Sequence, residues 1–243
     1  MAHHFDVLKA TEAERTGFDA ARSVLPERDS LNGHRGVQDE IAKLVQRVFV
    51  LPGPARTPGA VAVCGVEHGA GCSWICAHAG DSLAAQAPGT VCVVDANLRG
   101  PSLHRYFALD ASPGLAEALK DQRPMADFTR PAGRQNLWVL TAGGSGNGQN
   151  GALNPERLRT RISELRAQFD YLLIDTPPIA EFSDGMLLAQ IADGAILVVG
   201  SRSTRREAAR AVKHSFDLAK VSVLGAVLNK RIYPIPEGLY RRI

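Results

Sequence analysis

No run of about eighteen apolar residues occurs in this sequence, which excludes a membrane-spanning helix of ordinary length. Nothing at its start has the pattern of a secretory leader, so the expectation is a soluble, cytoplasmic protein. Cysteine is scarce. Cys64, Cys72, Cys76 and Cys92 are the four, and no pair of C-x-x-C units is among them, which excludes a zinc ribbon and argues against a disulfide framework in 243 residues. Three of the four lie in or beside apolar runs and read as small buried hydrophobes. Cys72 and Cys76, four apart at a helix start, stand where a helix dipole lowers a thiol pKa, which leaves a redox role open. An excess of charge of one sign is also lacking: the net is +3, too little to argue for nucleic acid. Basic residues do collect from Arg202 to Arg210 and at Arg241-Arg242. They read as a solvated helix face and a tail, with an anionic partner as the alternative.

What is present is alternation of two periods. Apolar runs predict strands at Ala60–Cys64, Thr90–Val94, Leu137–Leu140, Tyr171–Ile174, Ala195–Val199 and Val221–Leu228. Helical spacing falls between them at Ser73–Ala85, Pro155–Phe169, Asp184–Ile191 and Arg205–Ala219. Near-continuous Val/Ile/Leu strands are buried on both faces. They imply an α/β fold, a mostly parallel central sheet flanked by helices with right-handed crossovers. Residues 1–58 read differently, as a helical arm and linker before a domain at 59–243. Phe5 and Leu8 suggest a helical turn, Ser23 to Gly36 is polar, and Val37, Ile41, Leu44, Val45 and Val48 recur at helical spacing. Pro52-Gly53-Pro54 through Pro58-Gly59 marks the linker. Gly143 to Gly148 reads as a flexible loop.

Ligands of such a sheet bind beyond the carboxyl ends of the strands. The first strand there delivers Gly69-Ala70-Gly71-Cys72-Ser73 to a helix start, the strand–turn–helix context of a P-loop. Glycines let the backbone approach an anion, and the helix N–H groups favour one. A P-loop ends G-K-[ST], however, and here Cys72 takes the lysine's place. Ser73 stands where a hydroxyl would ligate Mg²⁺; the plain alternative is a glycine turn that Ser73 merely caps. Two further strands end in acids, Asp95 after Val93-Val94 and Asp175 after Leu173-Ile174. Gly-Ser, Asp and Asp together at three strand ends suit a metal-bound phosphate better than three unrelated caps.

Val91 to Phe107, with Asp95-Ala96-Asn97-Leu98-Arg99-Gly100-Pro101-Ser102-Leu103-His104, resembles the Walker A′ segment of bacterial tyrosine kinases, in the wider MinD/ParA-like class of P-loop NTPases. Ile174-Asp175-Thr176-Pro177-Pro178 is similar to their Walker B, Asn154-Pro155-Glu156 to their N-P-x-E-L, and Val227-Leu228-Asn229-Lys230 to their V-L-N-[RK]. Phe5-Asp6-Val7-Leu8 resembles their start. The resemblance implies ATP or ADP with Mg²⁺ as cofactors. Ser73, Asp95 and Asp175 would be metal residues, with Asp95 and Asp175 in the catalytic roles. Gly69, Gly71, Cys72 and Ser73 would lie at the phosphates and Asn229 near the adenine. It further implies a membrane polysaccharide co-polymerase-like partner, homo-oligomers, a peripheral place at the inner membrane through that partner, and no nucleic acid.

The departures converge on the chemistry. Cys72 is neutral, Glu67 and His68 offer no substitute lysine, and Asn97 stands at the second A′ acid. The C-terminus offers only Tyr233 and Tyr240 for a tyrosine cluster, and Glu40-x-x-Lys43-x-x-Gln46 stands at a self-association motif with two arginines. The expectation is a tyrosine-kinase-like protein of exopolysaccharide or capsule biosynthesis or export, catalytically impaired and acting as a regulator or scaffold. An active autophosphorylating kinase with Arg99, Lys230 or a neighbour's residue as its cation is the first alternative. A MinD/ParA-type positioning ATPase is the second.

Overall fold

The computed structural model describes residues 6–7, 31–51, 57–144, 154–201 and 203–230. The Pro52-Gly53-Pro54 linker, Ser145 to Gly148, Arg202, Tyr233, Tyr240 and Arg241-Arg242 lie outside them. Among the described residues, eight strands form one sheet: β1 (Asp6–Val7), β2 (Ala60–Gly65), β3 (Val91–Asp95), β4 (Arg130–Ala132), β5 (Arg134–Leu140), β6 (Tyr171–Asp175), β7 (Gly194–Gly200) and β8 (Val223–Asn229). Their order is β1-β8-β7-β2-β6-β3-β5-β4, parallel throughout except β4 against β5. The helices are α1 (Leu31–Val45), α2 (Cys72–Gln86), α3 (Leu103–Tyr106), α4 (Leu115–Ala118), α5 (Pro155–Gln168), α6 (Ser183–Ile191) and α7 (Arg206–Leu218).

Alternation along the strands divides the core. Val61, Val63, Val93 and Leu173 pack under Ile41, Leu44 and Val45 of α1 and Ile75 and Leu83 of α2. The other face buries Leu172 and Ile174 against Leu158, Ile162 and Leu188, and Ala62 and Leu197 against Val212 and Phe216 of α7. Each fully buried Leu, Ile or Val adds roughly 1.5–3 kcal/mol relative to exposure. α5 starts as its sequence suggests: the Asn154 side chain accepts the Arg157 N–H at 3.0 Å, and Pro155 occupies the first turn.

α2 lies close over β3 because Gly80 has no side chain; a Cβ there would stand 2.3 Å from Val93 Cγ2. Gly80→Ala gains about 1 kcal/mol of helix propensity but overpacks a rigid β-branched neighbour, at about 1–3 kcal/mol. The expected result is a melting temperature a few degrees lower. A thermal melt at or above wild type would show that α2 lifts off β3 without cost.

Four features differ from the sequence reading. Asp6–Val7 is strand, not a helical turn: it pairs in parallel with Val227–Leu228 and covers part of the backbone edge that β8 leaves open. α1 begins at Leu31, ahead of Val37, and takes in Gly33 and Gly36; its last residues continue as a π turn, Gln46–Val50. Val48 and Phe49 of that turn join the α1–α2 cluster, so the segment before residue 58 shares a core with the sheet. The third is β4, whose Pro131 is tolerated because β4 is an edge strand with a single partner. The fourth is the short helices α3 and α4, four residues each, below the length at which periodicity registers.

Candidate functional site

β2 ends at Gly65 and the chain turns through Val66–Gly71 into α2. Gly69 and Gly71 hold φ of 76° and 89°, the left-handed region that favours glycine. Gly71 is the N-cap of α2 and no side chain caps that helix, so Ser73 does not act as the cap. The first N–H groups of α2 therefore face the loop without side-chain partners. A Cβ on Gly71 would stand 2.3 Å from Asn229 Nδ2. The end of β8 thus clasps the loop. Asn229 Nδ2 donates to Ala70 O at 2.9 Å, Asn229 Oδ1 accepts the Lys230 N–H at 2.8 Å, and Lys230 Nζ donates to Gly69 O.

The Cys72 thiol does not face a ligand. It turns back to the strand and donates to Val63 O at 2.8 Å, a carbonyl it shares with the Thr176 hydroxyl at 3.1 Å. Burial, then the charge of Asp175, pushes this thiol well above its usual pKa, and Cys76 is raised for the same reasons. Burial pushes Cys64 up to about 12. The sequence placed Cys72 and Cys76 where a dipole lowers a thiol pKa. Desolvation wins instead, and both are protonated, unreactive thiols.

Parallel register places Asp95 of β3 beside Asp175 of β6, on the sheet face that α2 covers, and neither is exposed. Asp95 accepts the N–H groups of Asn97 at 3.3 Å, Ser102 at 3.1 Å and Leu103 at 3.0 Å. Burial pushes it up to about 6 against those three donors. Asp175 has no such help: both carboxylate oxygens are buried without a hydrogen-bond partner. Burial first, then the Asp95 charge, pushes it up to about 8. The Ser73 hydroxyl and Cys72 thiol beside it pull the other way without completing a hydrogen bond. Buried oxygens of this kind are expected to meet a water or a cation. Ser73, Asp95 and Asp175 are the residues whose donor set fits Mg²⁺, oxygen ligands throughout. No group of three or more His, Cys, Asp or Glu side chains that could hold a metal ion occurs among the described residues.

The remaining candidates are placed as follows. Asn97 is held in its own turn, its Oδ1 accepting the Gly100 N–H at 3.1 Å. Arg99 is engaged by Asp184 at 3.1 Å and by the Phe182 ring at 4.9 Å. Glu67 Oε2 is buried without a partner, so the loop has an uncompensated acid where a lysine was sought. Glu40 and Lys43 pair with each other at 2.8 Å. Sequence reasoning missed Tyr106: its phenol is raised by burial and by the Asp175 charge, which puts α3 beside the acid pair. A cavity of about 280 Å³, lined by Arg159, Gln190, Asp193, Lys220 and Ser222, lies at the opposite ends of the strands and has no part in this site. No helix among the described residues is long and apolar enough to cross a membrane.

No protein-family model matches the chain. Over 145 residues it is 32% identical to tyrosine-protein kinase YwqD of Bacillus subtilis, covering 60% of this chain and 61% of that protein. It is 30% identical over 178 residues to the succinoglycan biosynthesis transport protein ExoP of Rhizobium meliloti, covering 70% of this chain and 22% of that one. The chain thus spans less than two thirds of either relative. Among solved structures, the kinase domain of the Escherichia coli tyrosine kinase ETK superposes with a TM-score of 0.77 at 19% identity, over 95% of this chain and 91% of that domain. The septum site-determining protein MinD of Pyrococcus horikoshii, complexed with Mg-ADP, gives 0.60 at 20% identity, over 75% and 76%. The homologues are bacterial tyrosine-protein kinases of capsule and exopolysaccharide systems, and the fold is that of MinD-like P-loop NTPases.

Proposed function

We propose that this chain is a tyrosine-kinase-like P-loop protein of capsule or exopolysaccharide biosynthesis or export, that its phosphoryl transfer is weak or absent, and that it works as a regulator or scaffold beside a membrane co-polymerase. The observation that carries the reading is the Cys72 thiol, neutral and turned inward on Val63 O at the position of the P-loop lysine. A charge-assisted hydrogen bond is worth roughly 1.5–3 kcal/mol in binding. A cation on the transferring phosphoryl is worth about 10³–10⁵ in rate. Losing it leaves binding attainable and transfer crippled.

Nucleotide with Mg²⁺ fits what is left. The N–H groups around Gly69, Gly71, Cys72 and Ser73 would meet the phosphates. Ser73, Asp95 and Asp175 would hold the metal directly or through water, and the metal would supply charge neutralisation at the phosphates. Asn229 would contact adenine with the second N–H of its amide, the first being engaged on Ala70 O. The names of ExoP and of the CapA2B2 chimera support a co-polymerase partner. Purified protein with labelled Mg-ATP is expected to show no phosphate on Tyr233 or Tyr240 and no turnover above that of Asp175→Ala. Phosphotyrosine that Asp175→Ala abolishes would overturn the scaffold reading in favour of an active kinase.

A further inference from the structure

α7 carries arginines where a helix left to itself does not favour them. Arg205 is its N-cap and Arg206 its first residue, at the positive end of the helix dipole, which suits acids and not cations. Val212 and Phe216 hold the inner side of the helix in the core. Arg206, Arg210, His214 and Leu218 follow one another at four-residue spacing on the other side, all exposed. At the helical rise that stripe is about 18 Å long.

The acids of α7 do not neutralise it. Asp217 is bonded to Lys213 at 2.5 Å. Glu207, Arg205, Arg206 and Arg210 form no ion pair among the described residues. From Arg205 to Lys220 five basic residues face two acidic ones, a net of +3, and that is the excess of the whole sequence. The rest of the chain is balanced, so its long-range attraction for anions comes from this helix. Leu218 at the end of the stripe is 72% exposed, more than any other large apolar side chain among the described residues.

We propose that the outer side of α7 rests on an anionic phospholipid surface. Clustered arginines are drawn to the negative charge spread over such a surface, and a leucine beside them reaches the boundary between headgroups and acyl chains. An acidic peptide is held by a groove with side-chain pockets, whereas the side of a single helix is convex. The contact belongs to the chain itself, additional to any membrane partner, and requires no nucleotide.

The test is co-sedimentation of the full chain, without nucleotide, with vesicles of phosphatidylglycerol in phosphatidylcholine and with vesicles of phosphatidylcholine alone. A melt of each variant establishes that it is folded. Wild type is expected to bind the mixed vesicles only, and less as salt rises. Each arginine removed should weaken binding about fivefold, so Arg206→Gln/Arg210→Gln loses about 25-fold, while Arg206→Lys/Arg210→Lys binds as wild type does. Lys120→Gln, the same change of charge on an exposed residue after α4, should bind as wild type. Equal binding to both vesicle types, or none to either, would overturn the proposal. So would undiminished binding by the folded double Gln variant, or a loss in Lys120→Gln as large as in Arg210→Gln. Binding to soluble polyglutamate as tight as to the mixed vesicles would make this a protein-docking face and overturn the lipid assignment.

Discussion

Cys72→Lys is expected to raise Mg-ATP hydrolysis by roughly 10³-fold, the low end of what a cation aimed at a transferring phosphoryl contributes. The thiol now points at Val63 O, into a floor already occupied by Thr176 and Asp175. A lysine cannot follow that path: a buried ammonium there would lose its hydration, so the longer chain leaves toward the loop and the phosphates. Cys72→Met, long but neutral, is the control and is expected to give no gain. Hydrolysis measured by phosphate release reads the difference. If Cys72→Lys folds and binds Mg-ADP yet hydrolyses no faster, the deficit lies with Glu67, whose Oε2 is buried without a partner, or with Asn97, engaged in its own turn, and not with residue 72.

Asp175→Asn is expected to stabilise the protein at alkaline pH, although it removes an acid central to the proposed metal site. A carboxyl in the unfolded chain titrates near 4, whereas Asp175 in the fold is pushed up to about 8 by burial and by Asp95. Between those values the unfolded chain has released the proton and the fold still holds it. The stabilisation from keeping it is greatest at the acid end, declines as pH rises, and is gone once pH passes about 8. Asp95, raised to about 6, steepens the lower part of that decline. The asparagine cannot ionise, so the melting temperature of Asp175→Asn should fall less between pH 5 and 8 and exceed wild type by several degrees at pH 8. Mg²⁺ should raise the wild-type melt at pH 8 and leave the variant unmoved. A wild-type melt that is flat over this range would show that the fold does not hold the proton on Asp175, and a variant that responds to Mg²⁺ as wild type does would remove Asp175 from the proposed metal site.

Sheet and loop were legible because each is written locally. Six apolar runs became six strands within one or two residues at most ends; β5 alone begins three residues early, since Arg134-Gln135-Asn136 carry no apolar signal. Asp95 and Asp175 were found because they end such runs, yet their pairing across β3 and β6 follows from strand order, which no single run contains. The direction of the Cys72 thiol was illegible for a related reason. Its partner, Val63 O, is a backbone atom nine residues earlier, and dipole reasoning omits the burial that outweighs it. Arg99 looked like a spare cation in the sequence. Asp184 and Phe182 engage it, and those contacts depend on how α6 lies against the A′ segment.

One edge of the sheet has a consequence for assembly. β4 is three residues long with proline at its centre, and it runs against the direction of every other strand. A second copy seeking to extend the sheet on that side would find too few donors for continuous pairing. Copies of this chain that associate there do so through side chains. The open-ended stacking that a long bare strand invites is disfavoured on this side.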